Sequence, residues 1–347
     1  MRQSKFGKSP SGGRLERIKN SPNYKAGRFQ NLSNTPAFAE GYSVGRILYE
    51  KIFKKFPALR PIQRIPSVKT DLHHLSPVKD VLIWFGHSSY LMQIDGLRIL
   101  VDPVFSGNAS PIAGTNKSFQ GSDIYTVSDL PQIDYLLISH DHYDHLDFDT
   151  LKALKGKVTK IICGLGVGAH LEHWGYNAEL IIEKDWNEQV ALSNNVMIYT
   201  ESARHFSGRK FARNNTLWLS FVLKSPTKTV YLGGDSGYDR HYVDIGNKYG
   251  PFDLIILENG QYNKAWPYIH HTPEEVLKAA QDLKAKRILP VHSGKFSLSA
   301  HPWDEPLKRL TDLNGESDIS LLTPIIGEIV DLEAEDQIFE RWWEGMK

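Results

Sequence analysis

One cysteine, Cys163, is all this chain offers to thiol chemistry. A disulfide framework within the chain is excluded, and a reducing compartment fits. No run approaches the roughly 18 consecutive apolar residues that a membrane span needs. The N-terminus has no apolar stretch of the secretory-signal kind. Neither sign of charge dominates: 41 Lys and Arg face 40 Asp and Glu, a net charge of +1. That balance argues against a global electrostatic fit to nucleic acid. Internal repeats and low-complexity segments are lacking as well. What remains is an ordinary globular composition in 347 residues, 41% hydrophobic and 23% charged. It can bury a large core, and the expected place is the cytoplasm.

The balanced charge is unevenly placed. Residues 1–30 carry Arg2, Lys5, Lys8, Arg14, Arg17, Lys19, Lys25 and Arg28 against Glu16 alone. This stretch reads as a solvated, partly disordered arm. Attraction to an anionic membrane surface, with the chain soluble but peripheral there, and an organelle transit peptide are the alternatives. Helical promise follows only around 43–56, so 1–75 is expected to be a basic arm and irregular extension ahead of a single domain over 76–347.

From residue 81 the pattern changes. Segments 81–85, 90–94 and 98–101 read as strands, with Asp95-Gly96 turning between the last two. Residues 103–131 form a long loop rich in Gly, Ser, Pro and Asn, of a length that is usually functional or disordered. Its Phe105, Ile112, Phe119 and Ile124 are expected near the mouth of a site. Segment 134–138 is an apolar, buried-type strand, and 148–154 a short helix. Further strands are expected at 160–163, 179–182, 196–200, 217–223, 229–232, 254–257 and 287–290. Thr272 caps a helix that Pro273 opens and Glu274 and Glu275 favour, running to about 286. Strand-rich halves, each followed by helix, suggest two sheets packed face to face with outer helices, an α/β architecture.

The chemistry concentrates in Ser139-His140-Asp141-His142-Tyr143-Asp144-His145. Neutral imidazole is a good ligand for zinc and similar ions, and carboxylate oxygen completes such sites. On an extended segment His140 and His142 point the same way, while Asp144 and His145 can face a second ion after a turn. Three more candidates arrive just after strands: His205, Asp235 and His292.

In these residues and their order the chain resembles the metallo-β-lactamase superfamily. Within it, it is similar to the branch containing N-acylphosphatidylethanolamine-hydrolysing phospholipase D and its bacterial relatives. The resemblance spans about 20–306. Its motifs are Trp84-Phe85-Gly86-His87-Ser88, Asp102-Pro103-Val104-Phe105-Ser106, the histidine cluster and Ala203-Arg204-His205-Phe206-Ser207-Gly208-Arg209. They continue in Gly234-Asp235-Ser236-Gly237-Tyr238, His270-His271-Thr272-Pro273-Glu274-Glu275 and Val291-His292-Ser293-Gly294-Lys295-Phe296. The resemblance implies a four-layer αββα sandwich with the site at the mouth between the sheets. It implies a first ion on His140, His142 and His205, a second on Asp144, His145 and His292, and Asp235 bridging both. Phe206 keeps an aromatic character common in relatives, whereas Ser293 departs from it, so the pocket wall is expected to differ.

Two adjacent divalent ions lower the pKa of a water between them and stabilise charge on a phosphoryl or carbonyl oxygen. Zinc suits these ligands best, with iron and manganese allowed. Asp144 and Asp235 would then serve catalysis as well as metal binding. By resemblance, His270 assists the substrate or the leaving group, and His271 is a bystander. His87 is either a support to the ligands or a packing residue, and Asp102 a stabiliser of the turn beneath the metals. Lys295 is a substrate-phosphate contact or simply exposed. Ile338, Phe339, Trp342 and Trp343 read as a helix packed on the core. Gly164-Leu165-Gly166-Val167-Gly168 lacks the lysine of a phosphate loop and is rejected as one. The expected activity is hydrolysis of a phosphodiester in an N-acyl phosphatidylethanolamine-like lipid. Alternatives are a lactone or cyclic phosphate ester hydrolase and a non-catalytic metal-binding module. A lipid or small-molecule ester is the expected partner, and no nucleic acid is; oligomeric state is left open.

Overall fold

The computed structural model describes residues 4–112, 114–209, 213–317 and 319–347. The chain opens with α1 (Gly12–Lys19), the two-residue strands β1 (Tyr24–Lys25) and β2 (Arg28–Phe29), and α2 (Val44–Phe53). One seven-stranded sheet then takes β3 (Val81–Trp84), β4 (Tyr90–Ile94), β5 (Leu97–Val101), β6 (Ile133–Ile138), β7 (Val158–Gly164) and β8 (Ile181–Lys184). Helices α3 (Phe148–Leu154) and α4 (Gly168–His173) connect its later strands. The second seven-stranded sheet takes β9 (Glu188–Ala191), β10 (Met197–Glu201), β11 (Ser220–Lys224), β12 (Thr229–Leu232), β13 (Leu254–Glu258), β14 (Arg287–Val291) and β15 (Ser320–Leu321). Helices α5 (His241–Tyr249), α6 (Pro273–Asp282) and α7 (Glu305–Leu313) belong to this half. Strand β16 (Ile329–Asp331) returns to the first sheet beside β3.

Alternation along the strands sorts side chains into layers, because successive residues point to opposite faces. On β6 and β7, Leu137 and Ile162 join the core between the sheets, where they meet Phe221, Leu223, Ile256 and Leu289. Their neighbours Leu136, Ile138 and Ile161 face the other way, onto Leu151, Leu154 and Leu171 of α3 and α4. Tyr231, Ile255, Leu257 and Ile288 of the second sheet pack on Tyr242, Ile245, Val276, Ala279 and Leu310 of α5, α6 and α7. The result is helix, sheet, sheet, helix: the four-layer αββα sandwich.

Several local expectations change. Residues 4–30 are not a solvated arm: Ile18 and Phe29 are fully buried in the central core. Three cations of that stretch find carboxylates far along the chain. Arg14 pairs with Glu172 and Glu183, Lys5 with Asp149, and Arg17 with Glu188. The fold thus offsets part of the positive charge that the segment carries by itself. Met1, Arg2 and Gln3 lie outside the described residues. The strand expected at 179–182 runs Ile181–Lys184, after a short 3-10 turn. Helix α6 stops at Asp282, while its Thr272 cap and Glu275 form the reciprocal capping box. The C-terminal segment is turns, not helix; Trp342 and Trp343 are buried as expected, but Ile338 is exposed. No helix among the described residues is long and apolar enough to cross a membrane.

Candidate metal centre

The parallel strands bring their C-terminal ends to one rim, and that rim supplies the polar groups. His140, His142, Asp144 and His145 follow β6, Asp235 follows β12, and His292 follows β14. His205 follows the antiparallel β10. Asp235 sits at the centre. Its Oδ2 lies 3.8 Å from His140 Nε2 and 3.7 Å from His205 Nε2. Its Oδ1 lies 3.2 Å from His145 Nε2 and 3.2 Å from His292 Nδ1. His142 Nδ1 closes the first side, 2.9 Å from His140 Nε2 and 3.3 Å from His205 Nε2. Asp144 closes the second, with Oδ2 3.6 Å from His145 Nε2. All seven expected ligand residues therefore converge, in two nests that share Asp235.

The surroundings fix how these groups point. Asp102 accepts from the backbone N–H of Ser139 at 2.8 Å and from its hydroxyl at 2.5 Å. The same carboxylate accepts from His145 Nδ1 at 2.8 Å, which leaves Nε2 facing the centre. Asp102 thus holds both the turn and one ring. His205 donates Nδ1–H to the Ile269 carbonyl at 3.0 Å, again turning Nε2 inward. Gly234 has φ +59°, and a Cβ there would meet Ser139 Cβ at 2.8 Å and the Leu219 carbonyl at 2.9 Å. Only glycine lets Asp235 come this close to the histidine turn. His87, itself buried with φ +54°, sets Nε2 2.9 Å from Asp144 Oδ2. It supports the carboxylate rather than merely filling space.

Electrostatics prepare three of the rings as bases. Burial, reinforced by neighbouring imidazoles, holds His140, His205 and His292 well below the usual imidazole range, so each is neutral with a lone pair to give. Burial acts against charge on Asp144 and Asp235, yet the surrounding histidines outweigh it and hold both carboxyls well below their ordinary range. Burial likewise opposes charge on His145, and Asp235, Asp144 and Asp102 together raise it well above.

A family model described as a beta-lactamase superfamily domain matches residues 97–293, more than half of the chain. The chain belongs to the metallo-β-lactamase superfamily. It is 38% identical over 327 residues to an uncharacterised protein of Mycobacterium tuberculosis, covering 93% of this chain and 87% of that one. It is 29% identical over 328 residues to an N-acyl-phosphatidylethanolamine-hydrolyzing phospholipase D of Caenorhabditis elegans, covering 84% and 90%. Among solved structures it is similar to a metallo hydrolase of the archaeon Ignicoccus hospitalis. There the TM-score is 0.56 at 21% identity, over 73% of this chain and 98% of that one.

In this superfamily of metal-dependent hydrolases the donor set must accept cations, and the residues here fit. His145 Nε2 and Asp235 Oδ1 are buried, 3.2 Å apart, and have no hydrogen-bond partner among the described residues. Buried polar atoms without partners are costly, and a shared cation satisfies both. Each nest gathers four donors within 4.8 Å of one another: His140, His142, His205 and Asp235 in one, His87, Asp144, His145 and His292 in the other.

Beside the nests is a cavity of about 330 Å³. His142, Asp144, Asp235 and His292 form its floor; Phe38, Phe206, Trp266, Ile269 and Leu298 give it apolar walls. No described residue of 103–131 lines it: Phe119 is buried elsewhere, and Phe105 packs on Phe85. The N-terminal extension supplies the wall instead. Asn31 braces the His205 backbone from both sides, donating to its carbonyl at 2.8 Å and accepting from its N–H at 3.1 Å. Phe206 lines the cavity, whereas Ser293 is buried and does not.

His270 also lines the cavity, its ring stacked on His292 with centroids 5.1 Å apart. Behind it stands Glu258, fully buried at the end of β13, with Oε2 3.4 Å from His270 Nδ1. Burial alone would lower the His270 imidazole; the Glu258 carboxylate outweighs it and raises it. Glu258 also accepts from the His271 backbone N–H at 2.6 Å. Sequence reasoning passed over Glu258, although a polar residue directly after the apolar run 254–257 is the same signal that marks Asp235 and His292. Lys295 is neither exposed nor in the cavity. It is buried, donating to the Phe85 and Val104 carbonyls and 3.1 Å from Asp123, and so ties loops together beneath the rim.

Proposed function

We propose that this chain is a phosphodiesterase of the phospholipase D type, acting on N-acyl phosphatidylethanolamine-like lipids. The observation that carries the reading is the apolar-walled cavity directly over the two nests. A lipid phosphodiester needs both a cationic floor and apolar walls, whereas a small closed polar pocket would suit a lactone. The likeness to the Caenorhabditis elegans phospholipase supports it. Two divalent ions, zinc foremost, would supply an activated water and positive charge for the phosphoryl oxygens. The chain's own groups do the rest. His140, His142 and His205 would hold one ion, Asp144, His145 and His292 the other, with Asp235 between. Asp144, braced by His87, orients the attacking water. His270, its basicity raised by the Glu258 carboxylate against the effect of burial, would donate to the departing alcohol oxygen. The acyl chains lie along Phe38, Trp266, Ile269 and Leu298.

The test is purified, metal-replete protein offered N-acyl phosphatidylethanolamines, lactones and cyclic phosphates, with products read by mass spectrometry. Release of an N-acylethanolamine and a phosphatidic acid is the expected result. Turnover of lactones or cyclic phosphates alone would replace the lipid reading.

A further inference from the structure

Helix α2 is amphipathic the wrong way round for a soluble surface. Its half-buried positions are Ile47 and Glu50. At 3.6 residues per turn these two share one side, and Val44, Leu48, Ile52, Tyr49 and Phe53 fall on the other. Those five are exposed to 60%, 53%, 70%, 59% and 69%. A contiguous apolar face of this kind, turned to solvent, marks a surface that something else covers.

The same stretch is basic. Residues 43–56 hold Arg46, Lys51, Lys54 and Lys55 against Glu50. The flanks of the helix are anchored to the body: Ala39 N–H donates to the Ala265 carbonyl at 2.9 Å, and Trp303 N–H to the Ala58 carbonyl at 2.9 Å. The helix is therefore held in place at the rim, not dangling. Behind it Ile47, Phe56 and Leu59 share a cavity of about 250 Å³ with Trp266 and Leu298. Trp266 and Leu298 are also walls of the cavity above the metal nests. The helix therefore lies beside the wall of the cavity over the nests, with Trp266 and Leu298 common to both cavities.

We infer that α2 docks the chain onto an anionic bilayer, with Val44, Leu48, Tyr49, Ile52 and Phe53 sunk among the lipids. The chemistry of the face selects this partner. Apolar side chains enter the acyl boundary while the surrounding cations meet anionic headgroups, the arrangement by which interfacial helices bind reversibly. The docked pose puts the wall formed by Trp266 and Leu298 near the leaflet, on the side from which a lipid would reach the nests. This last point rests on the lipid-hydrolase reading; the docking itself does not.

The experiment compares the full chain with a variant carrying Leu48→Ser, Ile52→Ser and Phe53→Ser. Both are co-sedimented with phosphatidylcholine vesicles with and without phosphatidylglycerol. Both are also assayed on bis(para-nitrophenyl) phosphate, a soluble diester that needs no membrane. Wild type is expected on the phosphatidylglycerol vesicles, and the variant's bound fraction falls by about tenfold or more as three apolar anchors are lost. Thermal midpoint and soluble-diester turnover stay unchanged, because the three side chains face solvent. Equal sedimentation of the two proteins overturns the docking. So does a wild type that ignores vesicles and is a dimer by light scattering while the variant is a monomer, since a second copy then covers the face. Docking without any diester turnover removes the lipid-hydrolase reading and keeps the docking; turnover without docking does the reverse.

Discussion

At the scale of single residues, Asp235 and His270 stand apart from the other polar groups of the rim. Asp235 presents one oxygen to each nest. Asp235→Asn keeps the shape and removes the charge. Most hydrolysis should go, with metal content by elemental analysis falling below the about two ions per chain expected of wild type. A variant that keeps both metal and turnover would show that the two nests do not share this carboxylate. His270→Gln addresses a different step. If the imidazole protonates the leaving alcohol, kcat on an alkyl phosphodiester should fall by roughly 10²-fold or more. A para-nitrophenyl ester, whose leaving group needs no proton, should lose much less. Equal losses on both substrates would assign His270 to metal binding instead, a role its place within 4.8 Å of Asp235 and His292 also permits.

Elements were legible in proportion to how far their residues signal locally. The rim strands were plain, since an apolar run followed by a polar ligand needs no distant context. Helix α5 was not: His-Tyr-Val-Asp-Ile-Gly-Asn-Lys-Tyr has few apolar residues and a glycine inside. That glycine is required because a Cβ at Gly246 would strike the Asp282 carbonyl at 1.9 Å, a contact no local pattern reveals. The edge strand β9 is half exposed and equally mute. Helix α1 is the clearest case, because its partners lie more than 150 residues away. Ile18→Ala should cost about 2–5 kcal/mol in denaturant unfolding, since the side chain is fully buried. A cost near zero would mean that α1 does not pack on the core in solution. Acid should loosen the same element. The Arg14 hydrogen bond is the main cause holding Glu172 below its ordinary range, with burial opposing it. The pairing therefore stabilises at neutral pH and is lost as pH falls through that lowered value. Limited proteolysis within 1–30 should accelerate there, and a pH-independent cleavage rate would exclude the pairing as the clasp.

For the molecule as a whole, the two sheets meet through an apolar core and through the polar rim, where Leu219 N–H donates to the Ser139 carbonyl at 2.9 Å across the seam. Donors from both sheets line the nests. Ions bound there stabilise the folded chain by mass action, about 2.7 kcal/mol for each site at a free ion concentration 100 times its Kd. Chelation should lower the thermal midpoint, and added zinc should restore it. An unchanged midpoint under a chelator that demonstrably strips the metal would separate the rim from global stability.

The same seam has a bearing on how the protein is made. One nest is complete in sequence only at Asp235 and the other only at His292, so a chain shorter than 292 residues lacks the pair. During synthesis the β6 turn emerges first, with four potential ligands and no opposing sheet to orient them. Asp235 follows, and His292 only once β14 is out. A ribosome carrying this chain therefore displays a loose histidine loop, open to any passing soft cation, for the time it takes to add some 150 residues at about 5–20 residues per second. Metal choice is consequently a matter for the finished protein, and the interval before the second sheet closes is when a wrong ion has its opportunity.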